Sequence, residues 1–100
     1  MATYQITYWQ EIPSQVEARD PGGKPQRMVL SQKFQELIDI VAVKRKLDSS
    51  DDYIAQWNKG AKTERAGDAG QVVRALVEEL EGQYDEIRGK ALQISLAAKS

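Results

Sequence analysis

The spacing of hydrophobic residues changes once along this 100-residue chain, near Ser31, and that change limits the folds open to it. Before Ser31, apolar and aromatic residues alternate with polar ones, at the period of two that is typical of half-buried strands. After Ser31, they recur every three or four residues, as they do on one face of a helix. A run of strands followed by a run of helices indicates an α+β domain.

The strand segment predicts a three-stranded antiparallel meander. In the first strand, Tyr4, Ile6 and Tyr8 share one face, and Trp9 falls on the other. The second strand covers residues 15–19, with Val16 and Ala18 facing inward, and the third covers residues 26–30. Residues 20–24 between them form a turn, because proline presets φ and glycine accepts a positive φ.

The helical segment predicts three helices. Ser31 is the expected N-cap of the first helix. A short second helix follows residues 48–51 and ends near Gly60. Asp68 and Gln71 form a capping box at the start of the longest helix. The first helix has a buried stripe of Phe34, Leu37, Ile38 and Val41, which Ile40, Val43 and Leu47 widen. The stripe of the last helix is Val73, Leu76, Val77, Leu80, Tyr84, Ile87, Ala91 and Ile94.

These elements predict one domain over residues 1–100, with the meander at 1–30 and the helices at 31–100. Its sheet of three antiparallel strands is packed on one face by three helices, of which the last is long. The first helix packs against the last and against the face of Tyr4, Ile6 and Tyr8. Gly82 and Gly89 interrupt the last helix and predict a bend or a close contact, since glycine destabilises a helix interior.

The chain contains no histidine and no cysteine. Histidine is the usual acid or base near neutral pH, and cysteine supplies thiolate nucleophiles and most structural zinc sites. We therefore predict no catalytic residues, no metal and no cofactor. The net charge of -1 gives no field that would attract nucleic acid.

Two groups of charged residues have both a functional and a structural interpretation. The acidic group could hold a hard cation or form a carboxylate pair, and it comprises Glu78, Glu79, Glu81, Asp85 and Glu86. The basic group could bind phosphate or nucleic acid, and it comprises Lys44, Arg45, Lys46, Lys59, Lys62 and Arg65. We favour the structural interpretation of both, as solvated helix faces and compensation of helix dipoles.

Trp9 is the best candidate for contact with a partner. The period of two places it opposite the face that the helices cover, among the polar side chains of Gln15, Glu17 and Arg19. A large aromatic residue within a polar rim is the composition expected at an interface hot spot. The alternative is that Ile12, Pro13 or the loops cover the indole.

No apolar run approaches the roughly 20 residues of a membrane span. The first six residues lack the basic and apolar regions of a secretory signal. We therefore expect no membrane association and a cytoplasmic location.

Residues 2–16, with the run Tyr-Trp-Gln-Glu-Ile-Pro-Ser-Gln-Val, resemble the start of a small bacterial domain family named "virulence factor". The resemblance continues through residues 30–39, 53–57 and 84–88, so it covers nearly the whole chain. It implies an accessory module that works beside other proteins, since related domains occur in longer chains with HEAT-like repeats. It supplies no catalytic residue.

We therefore favour a non-enzymatic accessory or protein-interaction module, with a protein partner or a second copy of the chain. The alternative is a small subunit that completes a metabolic enzyme complex, in tetrahydrofolate- or corrinoid-linked methyl transfer. The resemblance suggests that alternative, because stand-alone members of the family lie near genes for such enzymes.

Overall fold

The computed structural model describes the backbone of residues 1–97 and the side chains of residues 1–92. Within that range the α+β class is confirmed, with five strands and four helices in place of three of each. The strands are β1 (Ala2–Trp9), β2 (Ile12–Arg19), β3 (Pro25–Val29), β4 (Trp57–Lys59) and β5 (Thr63–Arg65). The helices are α1 (Gln32–Lys44), α2 (Ser50–Ala55), α3 (Ala69–Gly82) and α4 (Tyr84–Ala97).

The sheet is antiparallel, with the order β3-β2-β1-β4, and β5 also pairs with β1. The meander of β1, β2 and β3 is confirmed. The prediction of three strands is wrong because β4 and β5 pair with the second edge of β1, at residues 7–9 and 2–4. Each is only three residues long, so neither produces a recognisable alternation in the sequence.

The helix boundaries differ from the prediction in two places. Helix α2 ends at Ala55 and not near Gly60, because the chain turns into β4 at Trp57. The single long final helix is two helices that separate at Gln83, directly after Gly82, so the bend predicted there is a complete break. The capping box is confirmed, since Asp68 accepts a hydrogen bond from the backbone of Gln71 at 2.8 Å and Gln71 accepts one from Asp68 at 3.1 Å.

The core consists of two apolar clusters. The first surrounds Trp9 and Ile12 and contains Leu30, Phe34, Leu37, Ile38, Val41, Ala42 and Ala91. The second lies between the sheet and α3 and contains Ala2, Val16, Ala18, Ala69, Val72, Val73 and Leu76. The side chains of Val77 and Leu80 pack against both clusters, so α3 connects them.

The predicted packing of α1 is correct toward the last helices and wrong toward the face of Tyr4, Ile6 and Tyr8, since α1 packs on the sheet at Trp9 and Ile12. The buried stripe of α1 contacts Val77, Leu80 and Tyr84, as expected. Tyr4, Ile6 and Leu76 belong instead to the second cluster, because α3 and not α1 covers that face of the sheet. Ile94 is part of the apolar stripe predicted for the last helix, and its side chain lies outside the described residues.

Ile40 and Val43 do not widen the buried stripe of α1. Their side chains are 48% and 63% exposed, since they lie on the side of the helix away from Phe34 and Ile38. No described helix has both the length and the apolar composition needed to cross a membrane.

Candidate functional site

One face of the sheet is lined by polar side chains that the strand register places in rows. Thr3 lies opposite Arg19, and Gln5 lies opposite Glu17, which in turn faces Arg27 on β3. Directly opposite residues of an antiparallel pair project from the same face. The alternate positions of β1 and β2, such as Val16 and Ala18, pack against α3. We call this surface of Thr3, Gln5, Gln15, Glu17, Arg19 and Arg27 the polar sheet face.

The polar sheet face is open to solvent. Gln15 and Glu17 are half-buried, which is typical of residues on a solvent-facing sheet surface, and Arg19 is exposed. A shallow depression of about 140 Å³ lies at the Arg19 end. Its lining is Thr3, Tyr4, Gln5, Glu17, Ala18, Arg19 and Lys62. Three of the four predicted interface residues, Gln15, Glu17 and Arg19, thus lie together on one surface.

The charges on this surface are predominantly positive. Arg27 pairs with Glu17 at 3.1 Å, and the amide of Gln5 donates to the carbonyl of Gly60 at 2.9 Å. On the same face, the strand register places Lys59 opposite Thr7 and Glu64 opposite Thr3. The basic side chains on or beside the face are Arg19, Arg27, Lys59 and Lys62, and the acidic ones are Glu17 and Glu64. Such a surface complements an acidic one.

Trp9 is not part of the accessible surface, and the prediction that it is exposed is wrong. Its side chain is fully buried, and its ring centroid lies 5.5 Å from that of Tyr53 on α2. The indole N–H donates to the backbone carbonyl of Tyr53 at 2.9 Å, which satisfies its only polar group. Trp9 pairs across strands with Ile12 and Trp57, both of which pack in the first cluster. Later elements of the chain therefore cover the end of the sheet that a three-stranded meander would have left open.

A second polar site, at the turn between β1 and β2, carried no signal in the sequence. Gln10 has a φ of 55°, which is uncommon for a residue with a side chain. Three residues from later in the chain hold the turn in place. The backbone N–H of Gln10 donates to the carbonyl of Gln56 at 3.0 Å, Asn58 donates to the carbonyl of Gln10 at 3.3 Å, and Arg45 donates to the side chain of Gln10.

Arg45 explains why this turn is fixed. Its guanidinium forms two hydrogen bonds with the carboxylate of Glu11, at 2.7 and 3.1 Å, and one with the carbonyl of Ala91 at 3.3 Å. The hydrogen bond and charge of Arg45 outweigh the partial burial of Glu11 and hold the pKa of that carboxyl below its usual value. These groups pair with one another, so the site joins the turn to α1 and α4.

The acidic group on the last helices is divided among separate contacts. Glu79 pairs with Arg65 on β5, and this hydrogen bond lowers the pKa of Glu79. Partial burial opposes ionisation of Glu81, but hydrogen bonds from Ser31 and the nearby charge of Lys33 lower its pKa below the usual value. Among the described residues, no three carboxylates are arranged to hold a metal ion. The geometry favours the structural interpretation of these residues.

The basic group is divided as well. Arg45 holds the turn at Gln10, Arg65 pairs with Glu79, and Lys59 and Lys62 lie by the polar sheet face. The structure therefore does not support a single phosphate-binding patch formed by all six residues.

Comparison with known proteins identifies the family of this chain. A family described as "Virulence factor" matches residues 7–92. The chain belongs to the virulence factor family. The match begins within β1 and ends in α4, so it covers the β2 and β3 parts of the polar sheet face and the whole first core cluster of this virulence factor domain. No curated protein sequence and no solved structure gives a significant match.

Proposed function

We propose that this virulence factor domain is a non-enzymatic accessory module of the bacterial cytoplasm that binds a protein partner through the polar sheet face. One observation carries the proposal: the sheet is packed by α3 on one face, while the other presents aligned polar side chains to solvent. A rigid antiparallel sheet holds those side chains at fixed spacings, which lowers the entropy lost when a partner binds.

Charge indicates the kind of partner. Arg19 is exposed beside the depression, and Lys62 lines the same depression from the other side of β1. Arginine is enriched at protein interfaces, and its planar fork binds carboxylates with two parallel hydrogen bonds. An acidic protein surface would therefore complement Arg19 and Lys62, while Gln15 can both donate and accept at the same face.

The depression also favours a second candidate, a subunit that completes the active site of a metabolic enzyme. Arg19 and Lys62 at its rim could bind an anionic group of a substrate held mainly by another subunit. Methyl transfer linked to tetrahydrofolate or a corrinoid is the reaction class that we propose for this alternative.

Reversal of positive charges on the polar sheet face tests the first proposal. We expect the double variant Arg19→Glu/Lys62→Glu to reduce co-purification of a native partner at least tenfold, because both positive charges that complement an acidic partner reverse sign. The control is the double variant Arg74→Glu/Arg88→Glu, which reverses two exposed positive charges on α3 and α4. Equal recovery of the partner with both double variants would refute the assignment to the polar sheet face.

Activity of the purified complex separates the two candidates. An accessory module leaves the turnover of its partner unchanged when Lys62→Ala is introduced, provided that the complex stays assembled. A shared active site predicts a large loss of turnover in the same assembled complex. Sedimentation of the complex before the assay shows whether it is intact.

A further inference from the structure

Helix α1 carries a second apolar stripe, opposite its buried one. Ile40 and Val43 are 48% and 63% exposed, although both are large aliphatic residues in a well-formed helix. At 3.6 residues per turn, they lie on the side away from Phe34 and Ile38. Because they are three residues apart, their side chains are neighbours on the helix surface and form one apolar patch.

Charged residues border this stripe at both ends. Glu36, Ile40 and Lys44 are four residues apart in succession, so they form one ridge along the helix surface, and Val43 lies beside it. Glu36 and Lys44 are both exposed. Of the ion pairs formed by the described residues, none includes either of them.

The order of these residues is self-complementary. We propose that a second copy of the chain docks here, with the two α1 helices antiparallel and Ile40 of each copy against Ile40 of the other. The ridge is symmetric about Ile40, with Glu36 and Lys44 each about 6 Å from it along the helix axis. A two-fold axis at Ile40 therefore brings Glu36 of each copy opposite Lys44 of the other. This is an isologous interface, in which both copies use the same surface.

The charges select the antiparallel arrangement. Two parallel helices in register would place Glu36 against Glu36 and Lys44 against Lys44, and both contacts are repulsive. The antiparallel arrangement converts both into attractive pairs and covers the aliphatic side chains between them. Because the stripe is short, the interface is smaller than that of a stable dimer, so we expect a weak, concentration-dependent association. It uses a different surface from the polar sheet face and does not depend on the proposed function.

Sedimentation equilibrium of the full chain, from roughly 10 μM to 1 mM, measures this association. We expect a monomer–dimer equilibrium, and at least a tenfold weaker association for both Ile40→Ser and Val43→Ser. The matched control is Val29→Ser, since Val29 is also a valine and is 67% exposed, but lies on β3. Thermal melting of each variant verifies that the monomer fold is retained.

Exchange of the bordering charges tests the register. Glu36→Lys and Lys44→Glu should each weaken the dimer about threefold or more, because like charges then face each other across the axis. The double variant Glu36→Lys/Lys44→Glu should restore the parent affinity, because both pairs are re-formed with reversed sign. A monomer at every concentration, equal weakening by Val29→Ser, or no restoration in the double variant would each overturn the proposal.

Discussion

At the residue scale, Trp9 shows how the environment of a side chain determines its role. The indole has an aromatic neighbour, a hydrogen-bond acceptor and no exposure. Trp9→Ala should therefore destabilise the fold by about 3–5 kcal/mol, because it leaves a large cavity in the first cluster. Denaturant unfolding of the variant measures this loss. Val29→Ala, at an exposed position, should change the free energy of unfolding by less than about 0.5 kcal/mol. A Trp9→Ala variant as stable as this control would contradict the assignment of Trp9 to the core.

The ion pair between Glu11 and Arg45 makes the free energy of unfolding depend on pH. Arg45 lowers the pKa of this carboxyl in the folded protein relative to the unfolded chain. The pair therefore contributes stability above the unfolded pKa, and that contribution disappears as the pH falls through the folded pKa. We expect Glu11→Gln to remove part of the acid destabilisation that the parent protein shows between roughly pH 5 and pH 3.

Denaturant unfolding of both proteins at a series of pH values tests this effect. The difference in unfolding free energy between parent and variant should shrink as the pH falls, since the protonated carboxyl no longer pairs with Arg45. A difference that stays constant over the whole range would show that the charge of Glu11 does not stabilise the turn.

At the element scale, α3 and α4 both pack against the cluster that contains α1, and Gly82, where they separate, is not strained. A Cβ atom at Gly82 would meet no atom within 4 Å. Gly82→Ala should therefore stabilise the protein by about 0.5–1 kcal/mol, because alanine reduces the backbone entropy of the unfolded chain. Thermal melting tests this expectation.

Gly67 provides the contrasting control for Gly82. Its φ is 113°, in a region that residues with a side chain rarely adopt, and a Cβ atom would lie 3.3 Å from Gln71. Gly67→Ala should therefore lower the melting temperature while Gly82→Ala raises it. If both substitutions shift the melting temperature in the same direction, backbone conformation does not explain the effect of these glycines.

At the scale of the whole molecule, α3 joins the two apolar clusters into one cooperative unit. Leu80 packs against both, and Leu37 is fully buried in the first. We expect Leu37→Ala and Leu80→Ala each to cost about 2–5 kcal/mol. In the parent protein, tryptophan fluorescence and far-UV circular dichroism should report the same unfolding transition, because Trp9 and Trp57 monitor the first cluster while circular dichroism averages over both. Separate transitions would show that the clusters unfold independently.

The fold could be predicted from sequence wherever local signals are repeated. The strands β1, β2 and β3, the buried stripe of α1 and the capping box at Asp68 all have several residues that indicate the same structure. For the candidate site, the alternation along β2 was enough to place Gln15, Glu17 and Arg19 on one face. Strands β4 and β5 and the turn at Gln10 could not be predicted, since each depends on contacts with residues far away in the chain.

The sequence by itself determined the α+β class, the order of the main elements and the polar character of one sheet face, because hydrophobic periodicity and capping act over only a few residues. The tertiary structure alone decided which of these surfaces is covered. It buried Trp9 under α2, left Ile40 and Val43 exposed on α1, and divided the core into two clusters. Burial depends on which distant segments pack together, whereas periodicity shows only which residues share an apolar face of a helix or strand.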